Sequence, residues 1–180
     1  MRRVVLIILF ALTFGAGSLF AALAPSQMPQ PSPELKRLGY FVGKWHSEGE
    51  MKPGPFGPGG KFTESQDVQW MPGGFFLIIN ADEQSPMGNG KTLMIMGYDS
   101  EKNAYTFSAF NSMGQNEVAT GTLEGNTWTW LSDSVMGGKA VKTRFTMKGL
   151  SPTSYTTKFE MSSEGGGWNT IMEGTTTKAK

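Results

Sequence analysis

From Phe41 onward the chain alternates apolar and polar residues with a period of two. Every proline in that stretch falls in a break between alternating runs. Period two puts successive side chains on opposite faces of a strand. Proline cannot donate a ladder hydrogen bond, so a strand-forming sequence must keep it in the turns. Ten runs satisfy both conditions: 42–52, 61–71, 74–84, 91–98, 103–111, 115–124, 126–133, 139–149, 153–163 and 167–177. Between them stand turn signals such as Pro72-Gly73-Gly74, Gly125-Asn126, Gly137-Gly138, Ser151-Pro152 and Gly165-Gly166-Gly167. Tyr105-Thr106-Phe107 and Thr127-Trp128-Thr129-Trp130 show the aromatic and β-branched content that strands favour. No long helical pattern separates the runs, which excludes parallel crossover units. Short connections make neighbours antiparallel, and an open sheet of this width would expose two long edges. Closing the sheet removes both edges. A sandwich fits the meander order less well. The expectation is an all-β fold: a single antiparallel up-and-down β-barrel of about ten strands with a short N-terminal helix.

The N-terminal fifth organises differently. Met1-Arg2-Arg3, an apolar stretch from Val4, and the small residues up to Ala24 read as an export signal over 1–24. Candidate cleavage follows Ser18, Ala21 or Ala24; the alternative is a retained anchor, since Val4 to Ala24 is long enough to span a bilayer. Either way the domain is expected to work in the periplasm or outside the cell. Residues 25–33 carry four of the ten prolines and read as a semi-rigid linker. Ser32-Pro33-Glu34 supplies an N-cap, a first-turn proline and an acid, so a short helix is predicted over Pro33–Leu38, ended by Gly39. The barrel domain is assigned to 34–178, and Thr175–Lys180 to a frayed tail.

Charge and composition narrow the function classes. The formal charge is +1, and becomes −1 without Arg2 and Arg3, so there is no long-range field for nucleic acid. No membrane partner is expected beyond a retained anchor. The absence of cysteine removes disulfides, thiolate metal sites and thiol nucleophiles, and a lone histidine removes multi-histidine metal sites.

Leu38-Gly39-Tyr40-Phe41-Val42-Gly43-Lys44-Trp45 places a short helix before Gly-x-Trp at the first strand. This resembles the calycin and lipocalin-like barrels, in which Gly allows a tight bend and Trp plugs the closed end. Further matches are Glu48-Gly49-Glu50, Pro72-Gly73-Gly74-Phe75, Gly97-Tyr98-Asp99 with Lys102, and Gly121-x-Leu123-x-Gly125. Together they make residues 34–177 similar to a bacterial lipocalin-like family of unknown function. That resemblance implies a fold and little chemistry. In lipocalins a late basic residue packs on the Trp; Lys178 is the nearest counterpart. Nitrobindin-like barrels have a similar beginning and hang haem from a late histidine, but this chain has no histidine after His46.

The remaining motifs point away from catalysis. His46 follows Trp45, so if Trp45 faces inward His46 faces outward beside Glu48 and Glu50. Glu48 with Glu50, and Asp82 with Glu83, read as solvated carboxylates. Ser85–Thr92 nearly spells a phosphate loop, but the run after it is a strand, whereas phosphate cradling needs a helix N-terminus. Twelve methionines raise soft-metal binding, with Met94 and Met96 on one strand face, but spread along strands they read as adaptable interior filling.

The aromatic distribution is the most informative. A barrel of eight or more strands encloses space that its side chains do not always fill. Trp45, Trp70, Met94, Met96, Tyr98, Phe107, Trp128, Trp130, Tyr155 and Trp168 are the candidate lining of that space, with Gln66, Asn80, Thr120 and Thr143 as polar contacts. The predicted function is non-covalent holding of a small, largely apolar molecule, with no cofactor and no catalytic residue. The alternatives are a haem or gas-binding barrel, a filled structural module, and an enzyme marked by one strongly perturbed inward carboxylate.

Overall fold

The computed structural model describes residues 29–179 except 55, 56, 137, 164 and 165; the predicted export signal lies outside the described residues. Helix α1 (Pro33–Arg37) starts as its sequence dictates: Ser32 Oγ accepts a hydrogen bond from the Leu35 amide at 3.2 Å, and Pro33 occupies the first turn. Gly39 does not end it. The chain tightens into a 3₁₀ turn over Leu38–Phe41. In a 3₁₀ turn residues three apart eclipse, which sends both Leu38 and Phe41 into the interior, where both are buried.

Ten strands follow: β1 Gly43–Met51, β2 Gly60–Trp70, β3 Leu77–Ser85, β4 Gly88–Asp99, β5 Ala104–Asn111, β6 Asn116–Glu124, β7 Thr127–Met136, β8 Lys139–Ser151, β9 Ser154–Ser163 and β10 Asn169–Lys178. Each pairs antiparallel with its sequence neighbours, and β1 pairs with β10 to close the barrel. The predicted architecture is therefore the observed one. Two strand starts differ. β3 begins at Leu77 rather than at residue 74, because Gly73 and Gly74 sit at φ +98° and +74° in the turn. β4 begins at Gly88, since Ser85 pairs with Gly88 and only Pro86-Met87 remains as the hairpin loop. Lys91 and Thr92 accordingly lie on a strand, as the rejection of a phosphate loop requires.

The C-terminus corrects the frayed-tail expectation. Thr175 to Lys178 pair with Glu48 to Trp45, and they form half of the closing seam. Sequence composition hid this, because threonine and lysine look like a solvated end until a partner strand is known. Glycines let the seam close tightly. A Cβ on Gly49 would lie 2.5 Å from the Phe62 ring, and one on Gly174 3.1 Å from it, so the ring lies flat on bare backbone.

Strand direction puts α1 and the 3₁₀ turn at one end of the barrel, which they close. Trp45, 1% exposed, donates its indole N–H to the Phe41 carbonyl at 2.6 Å and meets Tyr155 edge-on at 5.1 Å. Lys178 stands 5.1 Å from the Trp45 ring, as the lipocalin-like resemblance implies. Gly43 makes room for it: a Cβ there would come 2.8 Å from Lys178 Cε. Tyr40 stacks on Trp128 and donates its hydroxyl to the Ser151 and Ser154 carbonyls, while Tyr105 donates to the Glu34 carbonyl. The helix is thus bolted to the β4–β5 and β8–β9 sides. No helix among the described residues is long and apolar enough to cross a membrane.

Because Trp45 fills this floor and anchors the 3₁₀ turn, Trp45→Ala is expected to lower unfolding free energy by about 3–5 kcal/mol in chemical denaturation. A loss below about 1 kcal/mol would contradict its structural role.

Candidate functional site

Alternation decides what each strand presents to the interior. Among the inward positions on β3, β5 and β6 are the small Ala81, Ala109, Ala119 and Gly121, interspersed with Ile79, Glu83, Phe107, Asn111 and Glu117. Trp130 lies over Gly121, where a Cβ would come within 2.4 Å of its ring. From β7 to β10 the inward set mixes the large Trp130, Phe145, Phe159, Met161 and Met172 with the smaller Ser132, Thr143, Thr157 and Thr176. Met94, Ala109, Phe145 and Phe159 face inward yet are only half-buried. Solvent therefore reaches the inside of the barrel from the end opposite α1.

A polar chain rises from the floor into this lumen. Tyr155, 1% exposed, donates its hydroxyl to Gln66 Oε1 at 3.2 Å, and Gln66 Nε2 donates to Glu64 Oε1 at 2.6 Å. Tyr155 also bonds the Thr176 side chain, whose hydroxyl lies 2.8 Å from Ser47 Oγ. Glu64 stands between Ser47 on β1 and Glu83 on β3 in the sheet register. Burial, then repulsion from Glu83, outweighs the Gln66 hydrogen bond and pushes its carboxyl up to about 7. Burial also raises the Tyr155 phenol. Nearer the mouth Thr143 donates to Glu117 Oε1 at 2.8 Å, reaching from β8 to β6 past the small Ser132.

The sequence-derived lining divides into three groups. Trp45, Met96, Phe107, Trp128, Trp130 and Tyr155 are buried within one core cluster; Trp70, Met94 and Tyr98 are half-buried against it. Trp168 is apart from both. Arg144 lies over its ring at 4.3 Å on the outer face, and the same guanidinium pairs with buried Glu160 at 2.8 Å, holding that carboxyl below its usual range. Gln66 and Thr143 face the lumen as expected, whereas Asn80 and Thr120 do not. Their strand neighbours Ile79 and Ala119 hold the inward positions, which leaves Asn80 and Thr120 exposed. His46 is on the outside, 3.4 Å from Glu48.

Glu64 and Glu117 carry no signal in the sequence analysis, and Glu83, expected to be a solvated carboxylate beside Asp82, takes an inward position opposite Glu64. A parity count would have found the first: Glu64 and Gln66 share a face with Phe62 and Val68, both buried. Another concave feature, about 620 Å³ on the outside of β1–β4, is lined by His46, Ser65, Asp82 and Lys91, and its Asp82 is already paired with Lys91. Among the described residues no cluster of three metal-ligating side chains occurs.

A closed ten-stranded antiparallel meander with a helix across one end and a partly polar lumen defines a lipocalin-like barrel. Residues 30–178 match a family described as protein of unknown function (DUF1579), and the chain belongs to that family. No curated protein matches the chain. Among solved structures, it is similar to Rv2717c from M. tuberculosis, with a TM-score of 0.58 and 12% identity over 84% of this chain and 100% of that one. It is also similar to the S-type phycobiliprotein lyase CPES from Guillardia theta, with a TM-score of 0.53 and 12% identity over 81% of this chain and 92% of that one. At these identities the likeness is one of fold.

The raised Glu64 carboxyl makes a measurable statement about stability. The folded chain holds this proton more tightly than the unfolded chain, whose carboxyl titrates near 4.5. The stabilisation is complete below about pH 4.5 and is lost as pH rises through about 7. Denaturation series are expected to show a wild-type decline across that window, at most about 1.4 kcal/mol per pH unit for one proton. Glu64→Gln should flatten it, and an unchanged slope would contradict the burial of Glu64.

Proposed function

We propose that this chain is a binding barrel that holds a small, largely apolar molecule in the half of its lumen facing the mouth. One observation carries the reading: Met94, Ala109, Phe145 and Phe159 point into the barrel but remain half-buried above a floor that is itself fully packed. Apolar walls with a few convergent polar groups are what small-molecule sites present. The floor residues set the depth of the site, and the mouth-facing residues contact the guest. We also propose that the barrel works outside the cytoplasm, a reading supported by the apolar segment with its two N-terminal arginines.

A haem reading is not supported by the donor set. The chain's single histidine, His46, lies on the outer face, so no imidazole is available inside. An enzyme reading has one observation in its favour, the raised carboxyl of Glu64. It is tested by whether any molecule recovered with the protein is altered on prolonged incubation with wild type and not with Glu64→Gln.

Native mass spectrometry of the protein purified from its own cell envelope is expected to show a small adduct that leaves on denaturation. Ala109→Phe, which fills the lumen from a half-buried inward site, should abolish the adduct while leaving the fold intact. Wild-type protein arriving without any adduct, together with no uptake of apolar probes, would overturn the proposal.

A further inference from the structure

The outer surface of the barrel has two unlike walls. Eleven large apolar side chains are exposed among the described residues, and eight of them lie between Phe76 and Val135, on β3 to β7 and their turns. Strand register joins several of them into one strip. Phe76 lies over Gly97, where a Cβ would come 2.8 Å from its ring. Ile78 pairs with Ile95 and Leu93 with Phe110, and Val118 and Leu131 continue the strip at outward positions of β6 and β7. No charged side chain occurs on β5, and the outward charges of β4 and β6, namely Lys91, Asp99 and Glu124, stand toward the strand ends. Lys91 is paired with Asp82, and Asp99 with Lys102. The far wall is charged, with Lys142 and Arg144 on β8, Lys158 and Glu160 on β9, and Glu48 and Glu50 on β1. A contiguous exposed apolar patch bounded by polar residues marks an interaction surface.

The mouth edge of the apolar wall is suited to leaving water. Its two hairpin tips, 85–90 and 111–116, contain no charged residue and expose Met87 and Met113. Side chains close these turns from within. Ser85 Oγ accepts from the Met87 amide at 3.3 Å, and Asn111 Oδ1 accepts from the Met113 and Gln115 amides at 3.1 and 3.0 Å. Backbone whose hydrogen bonds are made internally enters an apolar medium at lower cost. The floor edge of the same wall is where the preceding chain joins. A Cβ on Gly74, two residues before Phe76, would lie 3.4 Å from the Pro31 ring, and Tyr105 on β5 donates to the Glu34 carbonyl. Pro31 is seven residues from the end of the apolar segment 4–24, a reach of at most about 25 Å.

We propose that the β3–β7 wall rests on a lipid bilayer, with residues 4–24 retained as the anchor that holds it there. The anchor's linker joins the barrel at the foot of this wall, so the apolar wall and not its charged counterpart is the face brought to the membrane. A second copy of the chain fits less well. The closed sheet offers no free edge to pair, and two convex walls meet along a strip, short of the roughly 800 Å² per partner that a specific interface buries. A fluid bilayer surface follows the curve. Lys91, the one cation at an outward position of these five strands, is already neutralised by Asp82, so the contact is apolar and needs neither anionic lipid nor low salt. Docking of this wall is independent of what the lumen holds.

The chain has no cysteine, so one can be placed on each wall: Thr120→Cys on β6 and Thr175→Cys on β10, both exposed and outward, each carrying an environment-sensitive fluorophore. The full chain is reconstituted in phosphatidylcholine vesicles that contain a nitroxide-labelled lipid as quencher. The label at 120 is expected to shift to the blue and lose most of its emission, while the label at 175 keeps its own. Added salt or phosphatidylglycerol should change neither. Phe110→Lys combined with Leu131→Lys, both at exposed positions, should restore emission at 120 and leave the unfolding temperature as in the wild type. The intact mass of the chain taken from its own cell envelope should include residues 4–24. Equal quenching of the two labels, quenching of neither, quenching that needs phosphatidylglycerol or low salt, or a chain cut after residue 18, 21 or 24 would overturn the proposal. Ready disulfide linkage between two unlabelled Thr120→Cys chains would overturn it in favour of a second copy.

Discussion

Closure of the sheet is the constraint on which everything else depends. The backbone groups of β1 and β10 would otherwise form two exposed ladders, and pairing Trp45 through Met51 with Lys178 through Met172 satisfies both. The seam closes because glycines stand where it must be tight. Gly49 and Gly174 let Phe62 lie on the backbone, and Gly43 clears the path of Lys178 to Trp45. Once the ends are joined, alternation along each strand sorts every side chain into lumen or solvent. Barrel interior and barrel surface are consequences of one backbone event.

Closure leaves an interior that is not uniform. At one end α1 and the 3₁₀ turn bring Leu35, Leu38 and Phe41 under Trp45, Trp128 and Tyr155, and that end is a packed core. Toward the mouth polar groups appear at inward positions, among them Glu83 on β3, Asn111 on β5 and Glu117 on β6. Tyr155 joins the two regions. Its ring belongs to the floor, and its hydroxyl starts the chain through Gln66 to Glu64. A polar network rooted in a rigid aromatic layer is held in place by packing, which is how a lumen can keep a carboxyl at a raised affinity for its proton.

Much of the fold was legible because strand signals are local. Period two, prolines confined to breaks, and Gly-x-Trp after a capped helix gave the strand order and the closed end before any contact was known. The site was less legible. Large aromatics are the conspicuous candidates for a lining, and most of them, such as Phe107 and Trp128, are the packed floor. The residues that mark the open lumen are inconspicuous: Ala109, Gln66, Glu64. Trp168 shows the same bias from the other side, since its exposed ring serves Arg144 on the outer wall.

The sequence by itself determined which segments are strands, which face of each strand is apolar, and that short connections make a meander, because these follow from local sterics and side-chain alternation. Only the tertiary structure decided that Thr175–Lys178 close the barrel, that Glu64, Glu83 and Glu117 take inward positions on three different strands, and that the floor is buried while Met94, Ala109, Phe145 and Phe159 are only half-buried. Those properties depend on which residues meet across strands distant in the chain, and on how much volume opposite walls leave between them. Neither is written in any local pattern.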